Sequence, residues 1–423
     1  MDASRTPATL PEKIFQPMTS YPETSAPMTS GRPCVAQSLD AVQSTVPRLV
    51  RAAAAGVVQM FDRTRQLFCY RLKKTDRGLV QEGISRRYTV ITLLGLHRFE
   101  QAGFASPIDT KPVLRALLAN TSWVNNVGDL GLLLWLCALS APENLAELDS
   151  RLDVTSALRR YRDARKGLTM ELAWFLSGLC HWALAQPAKL ADLQTLAFTT
   201  YGMLQSNRGK AGLFGHASKG STAGWIRGKI GSLADQLYPV YAMTKLSEAY
   251  GDDGAAKKAL DCARVLCATQ GPLGQWWWHY DASSGRVVQG YPVFSVHQHG
   301  MVPMTLLALG DALQVDFSPW IYKGLRWIHS ENELGFDMED VSANVIWRSI
   351  YQPTFKKLWN AALNAGMGRE ETQSCSDDLR ILFECRPYEL GWLLYAFAGR
   401  IRNQRSLLTV KEQIADVTTA DTL

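Results

Sequence analysis

Apolar residues along the chain recur at intervals of three and four rather than two, which predicts helices and almost no strands. Two kinds of helix alternate. The first is amphipathic. The stretch 46–72 carries Leu49, Val50, Ala53, Val57, Val58, Phe61, Leu67 and Phe68 as one continuous helical stripe, and 109–120, 150–165, 188–206, 253–268 and 317–329 follow the same pattern. The second kind is apolar nearly all round and opens with polar or small residues. It occurs at 82–99, 126–139, 167–184, 231–246, 292–313 and 386–400. A helix apolar on every face is buried on every face. Outer and inner helices therefore alternate six times.

A hairpin of this kind needs neighbours to bury its inner helix, so six in a row predict a closed ring. The expected fold is all-α, an (α/α)6 toroid over 43–403. An open solenoid would show a stricter repeat and a long polar concave face. Inner helices in a ring run the same way, so their N-terminal ends converge. The polar openers then gather on one face: Glu82, Ser85, Arg86, Arg87 and Tyr88; Asn125, Asn126 and Asp129; Thr169 and Glu171; Asp235, Gln236 and Tyr238; His297, Gln298 and His299; Tyr388 and Glu389. Six helix N-termini favour an anionic ligand or ionised carboxylates there.

Composition narrows the picture. The 423 residues are 47% hydrophobic and 20% charged, with a formal net charge of +6, enough for a large core. The basic excess is mild and unclustered, which argues against a nucleic-acid partner. The most apolar stretch, 130–141, is short of the roughly 20 residues a membrane span needs. Residues 1–42 hold six of the 18 prolines and read as a disordered tail. Residues 404–423 read as a polar tail. The N-terminus lacks the basic and apolar regions of a secretory signal. The eight cysteines are scattered without a CxxC pair, as expected of reduced thiols in a cytoplasmic protein.

The segment 274–299 is richest in candidate chemistry. Neighbours on an extended chain alternate sides, so Trp276, Trp277 and Trp278 cannot all enter one core, and at least one should face the cavity or its rim as a platform for a sugar ring or a prenyl chain. His279, His297 and His299 lie close by. Residues i and i+2 of a helix point about 200° apart, so His297 and His299 do not share a metal. Cys180-His181 falls near the wrong end of its helix for a zinc site, and no metal or cofactor is expected. Asp129, Glu171, Asp235 and Glu389 are more telling, because acids in apolar surroundings are costly unless paired or functional. Arg86, Arg87, Arg227 and Arg386 are candidate partners for some of them. The stretch 330–385 departs from the repeat as an insertion. It carries Arg348, a candidate anion ligand, and Asp337-Met-Glu-Asp340. The Gly-rich run 212–227 precedes the fourth inner helix and is a candidate flap.

Six inner helices with polar N-termini, a Trp-rich loop and spaced acids resemble the six-hairpin glycosidase-like superfamily and the related uronyl epimerases. The toroids of terpenoid cyclases are a second resemblance, with Asp340 as the acid. The likeness is architectural and spans about 45–400, so no family catalytic residue is carried over. It implies a carbohydrate-active enzyme acting on a glycan or a uronate-containing saccharide by hydrolysis, elimination or epimerisation. In that reading Glu171, Asp235 and Glu389 are the acid/base candidates, with His297, Tyr88 and Tyr238 secondary. Arg86, Arg87, Asp129, Gln236, Trp276, Trp277, Trp278, His279, Gln298, His299 and Arg348 would hold the substrate. The alternatives are a cyclase with an aromatic cavity and a non-catalytic toroid that binds a glycan or a protein.

Overall fold

The computed structural model describes residues 39–220, 227–353 and 378–401. The expected polar tail 404–423 and most of the expected N-terminal tail lie outside them, as do 354–377 of the insertion and 221–226 of the candidate flap. The six inner helices are Arg86–Gln101, Val127–Ser140, Thr169–Ala185, Ala234–Tyr250, Val302–Leu313 with a π-helical turn His297–Met301 before it, and Pro387–Phe397. Each packs on the next, and the sixth packs on the first. That last contact closes the ring, so the fold is the (α/α)6 toroid. Among the described residues no helix is long and apolar enough to cross a membrane.

Close approach between inner helices depends on missing side chains. A Cβ on Gly95 of the first would lie 2.2 Å from the carbonyl oxygen of Gly391 on the sixth. One on Gly178 of the third would lie 2.3 Å from the carbonyl oxygen of Gly131 on the second. The helix starts are fixed by side chains that take up free N–H groups. Ser85 accepts from Tyr88 N (3.2 Å) and Asn126 from Asp129 N (2.8 Å). Glu389 accepts from the backbone N of Arg386 (3.0 Å).

Outer helices occur at Val46–Gln59, Thr110–Ala119, Leu190–Ser206, Asp253–Ala268 and Ser318–Ile328. The expected helix at 150–165 is instead broken into Leu145–Leu152, Ala157–Arg160 and Arg162–Arg165. Asp153, in the left-handed region at φ 43°, interrupts it. The described residues also include Leu39–Gln43, a short helix inside the stretch read as tail.

The larger correction concerns strands. The expected helix 46–72 stops at Gln59, and Leu67–Thr75 forms an antiparallel hairpin with Gly78–Ile84. Gln66 at φ 52° and Gly78 at φ 97° turn the chain on either side of the first strand. Glu82 is therefore on a strand, and the first inner helix opens four residues later. Residues 292–294 are likewise not helical: Val293–Phe294 pairs with Ser349–Tyr351, which pairs with Arg380–Leu382. Ile230–Ser232, His279–Asp281 and Val287–Gln289 form another small sheet. These short sheets carry side chains that wall one end of the ring.

Candidate active site

Five of the six inner helices contribute their first turns to one cavity of about 180 Å³. Arg87, Tyr88 and Ile91 come from the first, Met170 and Trp174 from the third, Ala234 and Tyr238 from the fourth, Val296, His297 and Met301 from around the start of the fifth, and Tyr388 from the sixth. The second enters through Asp129, whose carboxylate holds Arg87 Nε at 2.6 Å. Trp278, Phe294 and Arg348, from the sheets and the turns beside them, complete the wall. The wall is mainly aromatic and aliphatic, with two guanidinium groups set into it.

Those guanidinium groups are fixed by networks. Arg87 lies over the Trp174 ring, 5.4 Å from its centroid, as well as against Asp129. Arg348 bonds Glu389 and meets Glu384 through Nε at 3.0 Å. Glu384 also accepts from Arg71 (2.7 Å) and Arg386 (2.8 Å). Burial alone would raise the Glu384 carboxyl, but Arg386, Arg348 and Arg71 outweigh it and hold the group below its ordinary range. Arg386 Nη1 donates to Tyr88 Oη at 3.1 Å, and Tyr88 lies between Tyr70 and Tyr388.

The four acids therefore have different lives. Asp129 and Glu389 are ion-paired. Asp235 is fully buried, and burial would raise its carboxyl. His216 Nδ1 at 3.1 Å and the Ser232 N–H and hydroxyl, both at 2.8 Å, outweigh that and lower it. Glu171 differs from all three. Its Oε2 is buried without a hydrogen-bond partner. Burial and the charge of Asp235 push its carboxyl up, against the pull of Arg87. Glu171 sits one residue from Met170 and three from Trp174 of the wall.

His297 lines the cavity, stacked on Trp278 with ring centroids 6.0 Å apart. Burial and the Arg348 charge press its imidazole down to about 3, so it is neutral, and its Nδ1 is buried with no hydrogen-bond partner. Tyr238 also faces the cavity and accepts from Trp392 Nε1 at 3.1 Å.

Other expected residues stand elsewhere. Arg86 is exposed outside the wall. Trp276 is fully buried, and Trp277 packs on Tyr291, leaving Trp278 as the member of the triplet on the cavity. Gln236 clamps the Gly-rich loop, accepting from Phe214 N (2.7 Å) and donating to its carbonyl (2.8 Å). Gln298 is buried against Gly324. His299 is buried off the cavity and pressed down to about 3 by burial. His279 bonds Gln289 (2.7 Å) and turns toward Arg227, Asp235 and His216. Asp340 receives the hydroxyl of Ser342 in a turn and is not in the wall. His181 bonds Tyr241 (3.0 Å) and stacks on Trp135.

Sequence reasoning passed over Trp174, Phe294, His216 and Glu384. His216 had a signal: it lies in the Gly-rich run 212–227. Its backbone carbonyl accepts from Thr169 N at 2.9 Å, so it joins the starts of the third and fourth inner helices. Trp174 lies one turn beyond Met170 and carried no signal apart from an apolar helix.

No family model and no curated protein sequence matches the chain. Solved structures do. A sugar epimerase from a ruminal bacterium superposes with a TM-score of 0.56 at 10% identity, covering 85% of this chain and 100% of its own. An unsaturated glucuronyl hydrolase specific for heparin gives 0.53 at 13%, covering 84% and 96%. A possible member of the GH105 family from Salmonella enterica serovar Paratyphi A gives 0.53 at 12%, covering 91% and 100%. What the chain shares with these proteins is the toroid of six helical hairpins.

Proposed function

We propose that the protein is a carbohydrate-active enzyme whose substrate carries a uronate, with Glu171 as its proton donor. The observation that carries this reading is the cavity at the converging helix starts, where Arg87 and Arg348 stand beside the Trp278 platform. Guanidinium groups suit a carboxylate, and an indole face suits the apolar side of a sugar ring. The hydrolase and epimerase among the toroids of similar shape support the same class.

The acids support catalysis over plain binding. A binding toroid would have all four paired, whereas Glu171 keeps a buried oxygen free. A buried carboxyl whose pKa is raised holds its proton to higher pH than an ordinary glutamate and can deliver it to an oxygen or carbon of the bound sugar. The neutral His297, with Nδ1 open, can accept a hydrogen bond from a substrate hydroxyl or a water. Asp235 and Glu389 act as positioning groups, for His216 and Arg348 respectively. Asp340 lies off the wall, which counts against the cyclase reading.

The test is a panel of oligosaccharides ending in glucuronate, galacturonate or a 4,5-unsaturated uronate, with neutral counterparts, and products followed by mass spectrometry and NMR. Turnover is expected only for the uronates. Glu171→Gln should lower kcat by about 10²–10⁴-fold, the usual contribution of a general acid. Equal kcat/KM on neutral sugars, or an undiminished Glu171→Gln enzyme, overturns the proposal.

A further inference from the structure

Away from the cavity, three hydrogen-bond acceptors face one another where the sixth outer helix, Ser318–Ile328, leads into the insertion. His329 Nδ1 lies 3.9 Å from Asp337 Oδ1 and 3.8 Å from Glu339 Oε2, and all three atoms fall within 4.8 Å of one another. His329 and Glu339 are buried and Asp337 is exposed.

The histidine tautomer follows from its other nitrogen. Nε2 is 3.1 Å from Thr45 Oγ1, whose own proton goes to Val42 O at 2.7 Å. Thr45 must therefore accept, Nε2 carries the hydrogen, and Nδ1 presents a lone pair to the two carboxylates. Asp337 Oδ1 accepts from the backbone N–H of Glu339 at 3.0 Å. Arg48 Nη2 lies 3.2 Å from Nδ1 and 2.8 Å from Glu339 Oε2. The side chain of Glu339 is 0% exposed, and its Oε1 is buried with no hydrogen-bond partner. The side chain of Arg48 is 44% exposed, so it can swing into solvent.

We propose that His329, Asp337 and Glu339 form a site for a divalent transition-metal ion of the zinc type, in which the metal replaces the Arg48 guanidinium. One nitrogen and two carboxylate oxygens suit such an ion better than calcium, which takes oxygens alone. Ligands about 2.1 Å from a tetrahedral ion are about 3.4 Å apart, so each carboxylate needs to approach His329 by about half an ångström and the two carboxylates, within 4.8 Å of each other, to close by at most about 1.4 Å. Thr45 supplies the outer hydrogen bond that fixes the imidazole. The ion would brace the hairpin of Glu339–Asp340 with Val345–Ile346, two residues before Arg348. The site is independent of the reaction proposed for the cavity.

The full chain, stripped with chelator and titrated with zinc chloride, tests it. Binding is read as metal per chain after gel filtration and as a rise in Tm. One zinc per chain is expected. Asp337→Asn, a change at an exposed position, should weaken binding at least tenfold, and His329→Gln should do the same. Arg48→Ala removes the competing cation and should strengthen it. Zinc affinity unchanged in Asp337→Asn and His329→Gln, or no zinc retained by the wild type, overturns the proposal.

Discussion

Single side chains around the cavity are held by charge bookkeeping that a helix pattern does not display. Glu384 receives Arg71, Arg348 and Arg386 together, with its side chain 2% exposed. Glu384→Gln leaves three guanidinium groups crowded around a neutral amide. It should cost about 3–5 kcal/mol, the penalty for breaking a buried pair, read as a fall in urea midpoint. The same group sets a pH limit. Its folded carboxyl is depressed, so its contribution to stability is complete above the unfolded glutamate range and is lost as pH falls through the lower folded value. Asp235 is depressed too and loses its contribution in the same acid direction. Glu171 is displaced the other way. A step that needs it protonated should run at low pH and fall as pH rises through the raised value, with its limb above that of an ordinary glutamate. A kcat profile lacking that limb, or keeping it in Glu171→Gln, would remove the acid role from this residue.

At the scale of elements, the inner helices were legible because burial on all sides removes the polar stripe, and the outer ones because burial on one side leaves it. The hairpin of residues 67–84 was not legible. Leu67, Phe68, Cys69 and Leu72 fall at spacings a helix also accepts, and the choice was made by Glu384 and Cys385 pairing with Lys73 and Leu72 from far along the chain. Gly95 and Gly178 let the backbones of neighbouring inner helices approach directly. Gly95→Ala drives a methyl into the backbone of Gly391, and should cost about 1–3 kcal/mol in denaturant titration, as overpacking does. Gly202→Ala, on an outer helix with nothing within 4 Å, should instead gain about 0.4–1 kcal/mol. Equal effects at the two positions would show that helix propensity, not contact, decides both.

The whole molecule depends on its ends meeting. The sixth inner helix, near the C-terminus, packs against both the first inner helix and the outer helix Val46–Gln59. A chain ended at residue 377 would leave the face around Gly95 uncovered. It should melt broadly and at lower temperature than the full chain, followed by circular dichroism, whereas an open solenoid would lose one unit and keep the rest. A sharp, unshifted transition in the shortened chain would contradict a ring that needs closure. The sequence alone determined the alternation of buried and half-buried helices, and hence the face on which Arg87, Tyr238, His297 and Tyr388 meet, because periodicity records how many sides of a helix are buried. It also supplied the acids as candidates. Which acid stays free was decided only in three dimensions: Asp129 met Arg87, Glu389 met Arg348, and Asp235 met His216 and Ser232. Those partners come from other helices, from the Gly-rich loop and from the insertion. Ion pairing depends on distances of a few ångströms between residues far apart in the chain, and no spacing along one helix encodes them.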